Sequence, residues 1–187
     1  MEACWLDLLN SDWRDHVGSG RREDRIGKPE WLDAFLRKWH LPRSLARPAG
    51  REGLRSLRAT LRPLVELLAA GAHAGKSELS GLNAVLSATL VRRRIAAQAD
   101  RYALLFTTEG GSLEAALASI AADFAAFLSE ADPSRLRLCA NRDCSWVFVD
   151  SSPGRTRRWC EASTCGNLVK VRRCRARRGA AARTAKT

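Results

Sequence analysis

Four of the six cysteines fall in two close pairs near the end of the chain, Cys139 with Cys144 and Cys160 with Cys165. The spacing is C-x4-C, a gap of 15 residues, then C-x4-C. Two close pairs separated by a hairpin-length segment are a structural zinc pattern, because each pair bends round one side of an ion while the intervening chain brings the pairs together. Zinc takes four such ligands in a tetrahedron, at about 2.3 Å from each sulfur. Four thiolates leave no open position for an activated water, which makes the expected Zn2+ site structural rather than catalytic. Two other readings compete: four buried thiols in an apolar core, and disulfides formed after oxidation. Paired spacing about a hairpin is unusual without a metal, and a reducing compartment argues against disulfides.

The residues between the pairs suit this role. Trp146, Val147, Phe148 and Val149 have strand character, Ser151-Ser152-Pro153-Gly154 reads as a turn, and Arg157-Arg158-Trp159 is expected to return as the second strand. After Cys165, the segment Leu168-Val169-Lys170-Val171-Arg172-Arg173 reads as a helix whose N-terminus faces the thiolates, where its dipole offsets their charge. So small a module has little core, and metal binding is expected to supply much of its folding free energy.

Charge is distributed unevenly. The net charge is +12, yet residues 1–132 hold 18 Lys and Arg against 17 Asp and Glu, whereas residues 133–187 hold 14 against 3. Such asymmetry favours a polyanion as partner of the C-terminal part. The candidate contacts are Arg155, Arg157 and Arg158 between the cysteine pairs, and Lys170, Arg172, Arg173, Arg175, Arg177 and Arg178 on the following helix. Leu168, Val171 and Cys174 recur at steps of three and are expected to face the module, leaving the basic side chains outward. The plainer alternative is a solvated tail, with an arginine packed on Trp146 or Trp159. Residues 179–187 are expected to fray.

The first 132 residues read mainly as helices. Pro29 opens one with Trp31, Leu32, Phe35, Leu36 and Trp39 on a single face. A second carries Leu54, Leu57, Leu61, Leu64, Val65 and Leu68, with a kink expected at Pro63. Leu79, Leu82 and Leu86 mark a third, and Leu113, Leu117, Ile120, Phe124 and Phe127 a fourth, preceded by Gly110-Gly111-Ser112. Between the last two, Val91 to Gln98 and Tyr102 to Thr108 read as a β-hairpin. Residues 18–27 look polar and mobile. No run approaches the roughly 20 apolar residues of a membrane span, and the N-terminus does not read as a secretory signal. A cytoplasmic protein without membrane contact is expected.

Residues 138–178 resemble the CGNR zinc finger in Cys-x4-Cys, Trp-Val-Phe-Val-Asp, Arg-Arg-Trp-Cys, and Cys-Gly-Asn before a Lys/Arg-rich helix. The upstream part is similar to the ABATE domain, on Leu6-Asp7-Leu8-Leu9-Asn10, Leu82-Asn83 and the approach through Arg137-Leu138-Cys139. The resemblance implies a bacterial transcription regulator whose finger binds DNA. Leu168 stands where the family motif has its last arginine, which leaves the four cysteines intact but removes one cation from the start of the helix.

The expected architecture is a mainly α N-terminal domain with a β-hairpin, residues 1–132, followed by a small treble-clef-like ββα zinc module, residues 133–187. DNA is the expected partner. A small-molecule effector in the first domain and a homodimer are compatible with the sequence. The alternatives are a finger that binds protein or RNA, and an enzyme with a pocket in the first domain. No catalytic constellation supports the enzyme: His16, His40 and His73 are scattered, and no nucleophile or phosphate-loop motif occurs. Cys4 reads as a packed core thiol, and Cys174 as a buried small hydrophobe.

Overall fold

Apolar residues at helical spacing build the core of the computed structural model, which describes residues 2–109 and 112–184. Helix α1 (Cys4–Leu9) is buried on nearly every side. Its Trp5 is fully enclosed and meets the rings of Phe124 and Phe127, 4.9 and 5.0 Å away. Helix α2 (Pro29–Lys38) starts at its proline and buries Leu32, Phe35 and Leu36. Helix α3 (Pro48–Ala69) buries the predicted Leu54, Leu57, Leu61, Leu64 and Val65, and it runs through Pro63 without a break. Helix α4 (Lys76–Ser87) and helix α5 (Ser112–Glu130) complete the bundle around these residues. Gly110 and Gly111, read as the end of a strand and the start of a helix cap, lie outside the described residues.

Among the described residues, three two-stranded antiparallel ribbons decorate the helices. The first, β1 (Asp12–Arg14) with β2 (Arg22–Asp24), falls in a stretch whose sequence shows no strand alternation. Segment 18–27, expected as a polar loop, thus carries β2 and a short 3-10 turn, Arg25–Gly27. Ile26 is fully buried in the core, and Asp24 accepts hydrogen bonds from Arg55 Nε and Arg58 Nη1, both at 2.7 Å. The second ribbon, β3 (Leu90–Gln98) with β4 (Arg101–Glu109), is the predicted hairpin, closed through Ala99 in the left-handed region.

The third ribbon corrects an expectation. Strand β6 (Val147–Val149) does not pair with residues 157–159. It pairs with β5 (Leu136–Leu138), upstream of the first cysteine, in the register Leu136↔Val149, Arg137↔Phe148 and Leu138↔Val147. The reason is burial: Leu136 and Val147 are fully enclosed and belong to the same apolar cluster as the helices, whereas Arg157 and Arg158 are exposed. The metal module thus shares the helical core. Asn10, at the end of α1, closes this junction. Its Nδ2 donates to the Val147 carbonyl at 3.0 Å and its Oδ1 accepts from the Val147 N–H at 2.8 Å.

The Asp24 contacts predict a pH dependence. Burial works against the charged carboxylate, but hydrogen bonds from Arg58 and Arg55 outweigh it and hold the Asp24 carboxyl below its ordinary value. A depressed carboxyl stabilises the fold above the unfolded pKa of about 3.9, and that stabilisation is lost as pH falls through the folded value. Urea midpoints for the native chain are expected to fall faster below about pH 4 than those for Asp24→Asn. Identical pH profiles would remove Asp24 from the account.

Candidate metal centre and basic helix

Each cysteine is placed by a different local device. Cys139 directly follows β5, and its N–H donates to Trp146 O at 3.0 Å, so the ribbon hydrogen bonding closes around the first pair. Cys144 lies in the connecting turn, with its N–H on Asn141 O at 2.8 Å. Ala140 N–H reaches across to Arg158 O at 2.8 Å and draws the second pair alongside the first. Cys160 precedes a single wide turn, Ala162–Gly166, that holds Cys165 and leads into helix α6 (Asn167–Thr184). Asp150 fastens the long connection. Its buried carboxylate accepts from Ser152 Oγ, Ser152 N and Arg157 N, at 2.6, 2.9 and 3.0 Å. The Ser152 hydroxyl foremost holds this carboxyl below its ordinary value. Gly166 lets the ring of Trp159 pack closely: a Cβ there would sit 3.3 Å from it, so the ring would have to shift by a few tenths of an ångström.

The four Sγ atoms all lie within 4.8 Å of one another. Two edges of the cluster are 3.9 Å (Cys144 to Cys160) and 3.7 Å (Cys160 to Cys165). A tetrahedron with metal–sulfur bonds of about 2.3 Å has edges of about 3.8 Å, whereas a disulfide needs about 2.05 Å. The cysteines are therefore spaced for one shared cation and too far apart for bridges. Without a cation the thiols cannot all ionise. Hydrogen bonds from Cys144 and then Cys160 pull the Cys139 thiol down, and Cys139 in turn pushes the Cys144 and Cys160 thiols up. A divalent cation stabilises all four thiolates together and releases their protons.

Asn141 is a partner that the sequence reading did not single out. Buried inside the C-x4-C loop, it turns its Nδ2 toward Cys165 Sγ at 3.6 Å and donates to His16 O at 2.8 Å. An N–H aimed at a thiolate offsets its charge and fixes its position. An asparagine between two ligand cysteines was the available signal.

Helix α6 also departs from expectation. Val171 and Cys174 are exposed rather than facing the module, because the ribbon and turn offer a packing surface only to the helix's first turns. Arg172 faces inward instead. Its guanidinium donates to Asp143 Oδ2 and Val17 O, both at 2.6 Å, and to Asn141 Oδ1 at 3.4 Å. The helix backbone continues to Thr184, through residues expected to fray, as suits an alanine- and arginine-rich segment. Residues 185–187 lie outside the described residues.

The basic residues named from the sequence separate into two groups. Arg155 pairs with Asp132 at 2.8 Å and donates to Ser134 Oγ. Arg157 caps the carbonyls of Trp159 and Cys160 and lies over Phe148, 4.7 Å from the ring centre. Arg158 lies 5.6 Å from the centre of the Trp159 ring, the packing foreseen as the plainer alternative. Lys170, Arg173, Arg175, Arg177 and Arg178 are exposed, and among the described residues no partner is found for any of them. Cys4 is the packed thiol expected: burial first, then the charges of Asp123 and Asp7, push its pKa up.

A four-thiol cluster enclosed by a short ribbon, a wide turn and a basic helix defines a zinc-finger-like module mounted on a helical domain. The chain belongs to the ABATE family, described as "Putative stress-induced transcription regulator", whose model matches residues 2–131; a CGNR zinc finger model matches residues 135–178. Comparison with curated proteins returns no match. Among the described residues, no helix is long and apolar enough to cross a membrane.

Proposed function

We propose that the chain is a transcription regulator that binds DNA through α6, with one Zn2+ held by Cys139, Cys144, Cys160 and Cys165 fixing the base of that helix. One observation carries the reading: a helix anchored at the sulfur cluster extends five exposed cations, Lys170, Arg173, Arg175, Arg177 and Arg178, with no partner among the described residues. Such side chains suit phosphates, and a helix of this width suits a major groove. The basic part, residues 133–187, takes the DNA-binding role, and residues 1–132 take sensing or assembly. A cavity of about 450 Å³ between Leu68, Ala72, His73, Leu79 and Leu128 is suited to an effector. It also reaches Asp132, the partner of Arg155, so a bound molecule there adjoins the metal module.

The test is titration of duplex DNA across a salt series. If five cations neutralise phosphates, the logarithm of affinity falls with the logarithm of salt with a slope of about −4.5. Arg175→Ala is expected to reduce the magnitude of that slope by about 1. Arg172→Ala is expected to leave the slope unchanged while lowering stability by about 1 kcal/mol, since its bonds are internal and partly exposed. Affinity indifferent to salt, or a preference for single-stranded RNA, would point to the interaction-module alternative.

A further inference from the structure

We infer that the β3–β4 hairpin is a self-association arm, whose apolar face packs against the same face of a second copy of this chain. The inference is independent of the DNA-binding reading. Register sorts the hairpin into two unlike faces. The pairs Val91↔Thr108, Arg93↔Phe106, Ile95↔Leu104 and Ala97↔Tyr102 share one side. On that side Val91, Ile95, Tyr102, Leu104 and Phe106 are all more than half exposed. In the fold the arm meets helix α5, which contacts β4. An isolated two-stranded hairpin is marginally stable in water, and natural sheets cover so long an apolar face.

Area, shape and charge favour a second copy as the cover. The five side chains offer on the order of 600 Å², approaching the roughly 800 Å² per partner of a standard interface and at the upper end of the roughly 300–600 Å² patches that monomers leave bare. A closed dimer needs a patch that complements itself under a two-fold. With the axis across the strands at the Ile95↔Leu104 pair, the bodies of the two copies lie at opposite ends of the paired arms. Phe106 of one copy then meets Tyr102 of the other, an aromatic pair. Arg93, the longest side chain on the face, lies over Ala97, its smallest, beside the same Tyr102 ring, which offers a cation–π partner. The face contains no acidic residue and no cation other than Arg93. The two Arg93 side chains are about 13 Å apart along the strands, beyond the screening length of about 8 Å at physiological salt.

Sedimentation equilibrium of the zinc-loaded full chain tests this. The expected mass is about twice 20.6 kDa at micromolar concentration. Leu104→Asp places two carboxylates at the axis and is expected to weaken association at least 100-fold, with circular dichroism unchanged. Ile95→Lys is expected to act alike, and Arg94→Ser, on the opposite face, to leave the dimer intact. A native chain monomeric at 100 µM, or a dimer unaffected by either folded apolar-face variant, overturns the proposal. Should one variant fail to fold, the other decides, since both positions are exposed in the single chain.

Discussion

Exhaustive chelation is expected to unfold residues 155–178 while leaving the helical core and the β5–β6 ribbon in place. Zinc bound by four thiolates contributes about 10–16 kcal/mol of apparent binding free energy in small finger peptides at neutral pH, more than a segment with so little core can replace. The loss falls on the second half of the module because Cys160, Cys165 and the base of α6 are held chiefly by the cluster, Asn141 and Arg172. Leu136 and Val147 are instead enclosed among the helices. Hydrogen exchange reads the difference: amides of α6 should lose protection, while those of Arg137 and Phe148, a hydrogen-bonded pair of the ribbon, should keep it. Metal analysis should find one zinc per chain before chelation, and Cys165→Ser should lower its occupancy steeply. A chain purified without metal, with α6 protected all the same, would contradict this account.

Asn10→Ala is expected to destabilise the whole protein by about 3–5 kcal/mol, because it strands the N–H and C=O of Val147 in the core together, at about 1–3 kcal/mol each. For a chain of this size that lowers the melting temperature by roughly 10 °C. Asn10→Asp is the informative companion: it keeps the acceptor for the Val147 N–H but sets a carboxylate against the Val147 carbonyl, so it should be at least as damaging. Calorimetry decides, and a change below 1 °C for Asn10→Ala would mean that Val147 finds other partners.

The sequence made the cysteine cluster and the long helices legible, because thiolate spacing and a 3.6-residue apolar period are local signals. Helices α2, α3 and α5 and the β3–β4 hairpin lie where their patterns put them. The partner of β6 was misassigned because a hairpin reading takes the nearest segment after a turn. The true partner, Leu136–Leu138, shows the alternation Leu-Arg-Leu, but what selects it is burial against helices distant in sequence. The β1–β2 ribbon has three polar-rich residues per strand and no alternation of its own; tertiary contacts such as Arg58 to Asp24 hold it. Arg172 could not be told from its phosphate-facing neighbours, since its partners lie 29 and 155 residues away in the chain. The inward stripe of Val171 and Cys174 presupposed a surface that the small module does not extend far enough to provide.

The shared burial of Leu136 and Val147 also bears on modularity. A fragment excised at residue 133 would expose two aliphatic side chains to water and leave the amide and carbonyl of residue 147 without their carboxamide clamp. Grafting this finger onto a foreign scaffold therefore requires the recipient to carry an equivalent floor and an asparagine at the matching place, so exchange of such modules between proteins should succeed only when the first helix travels with them.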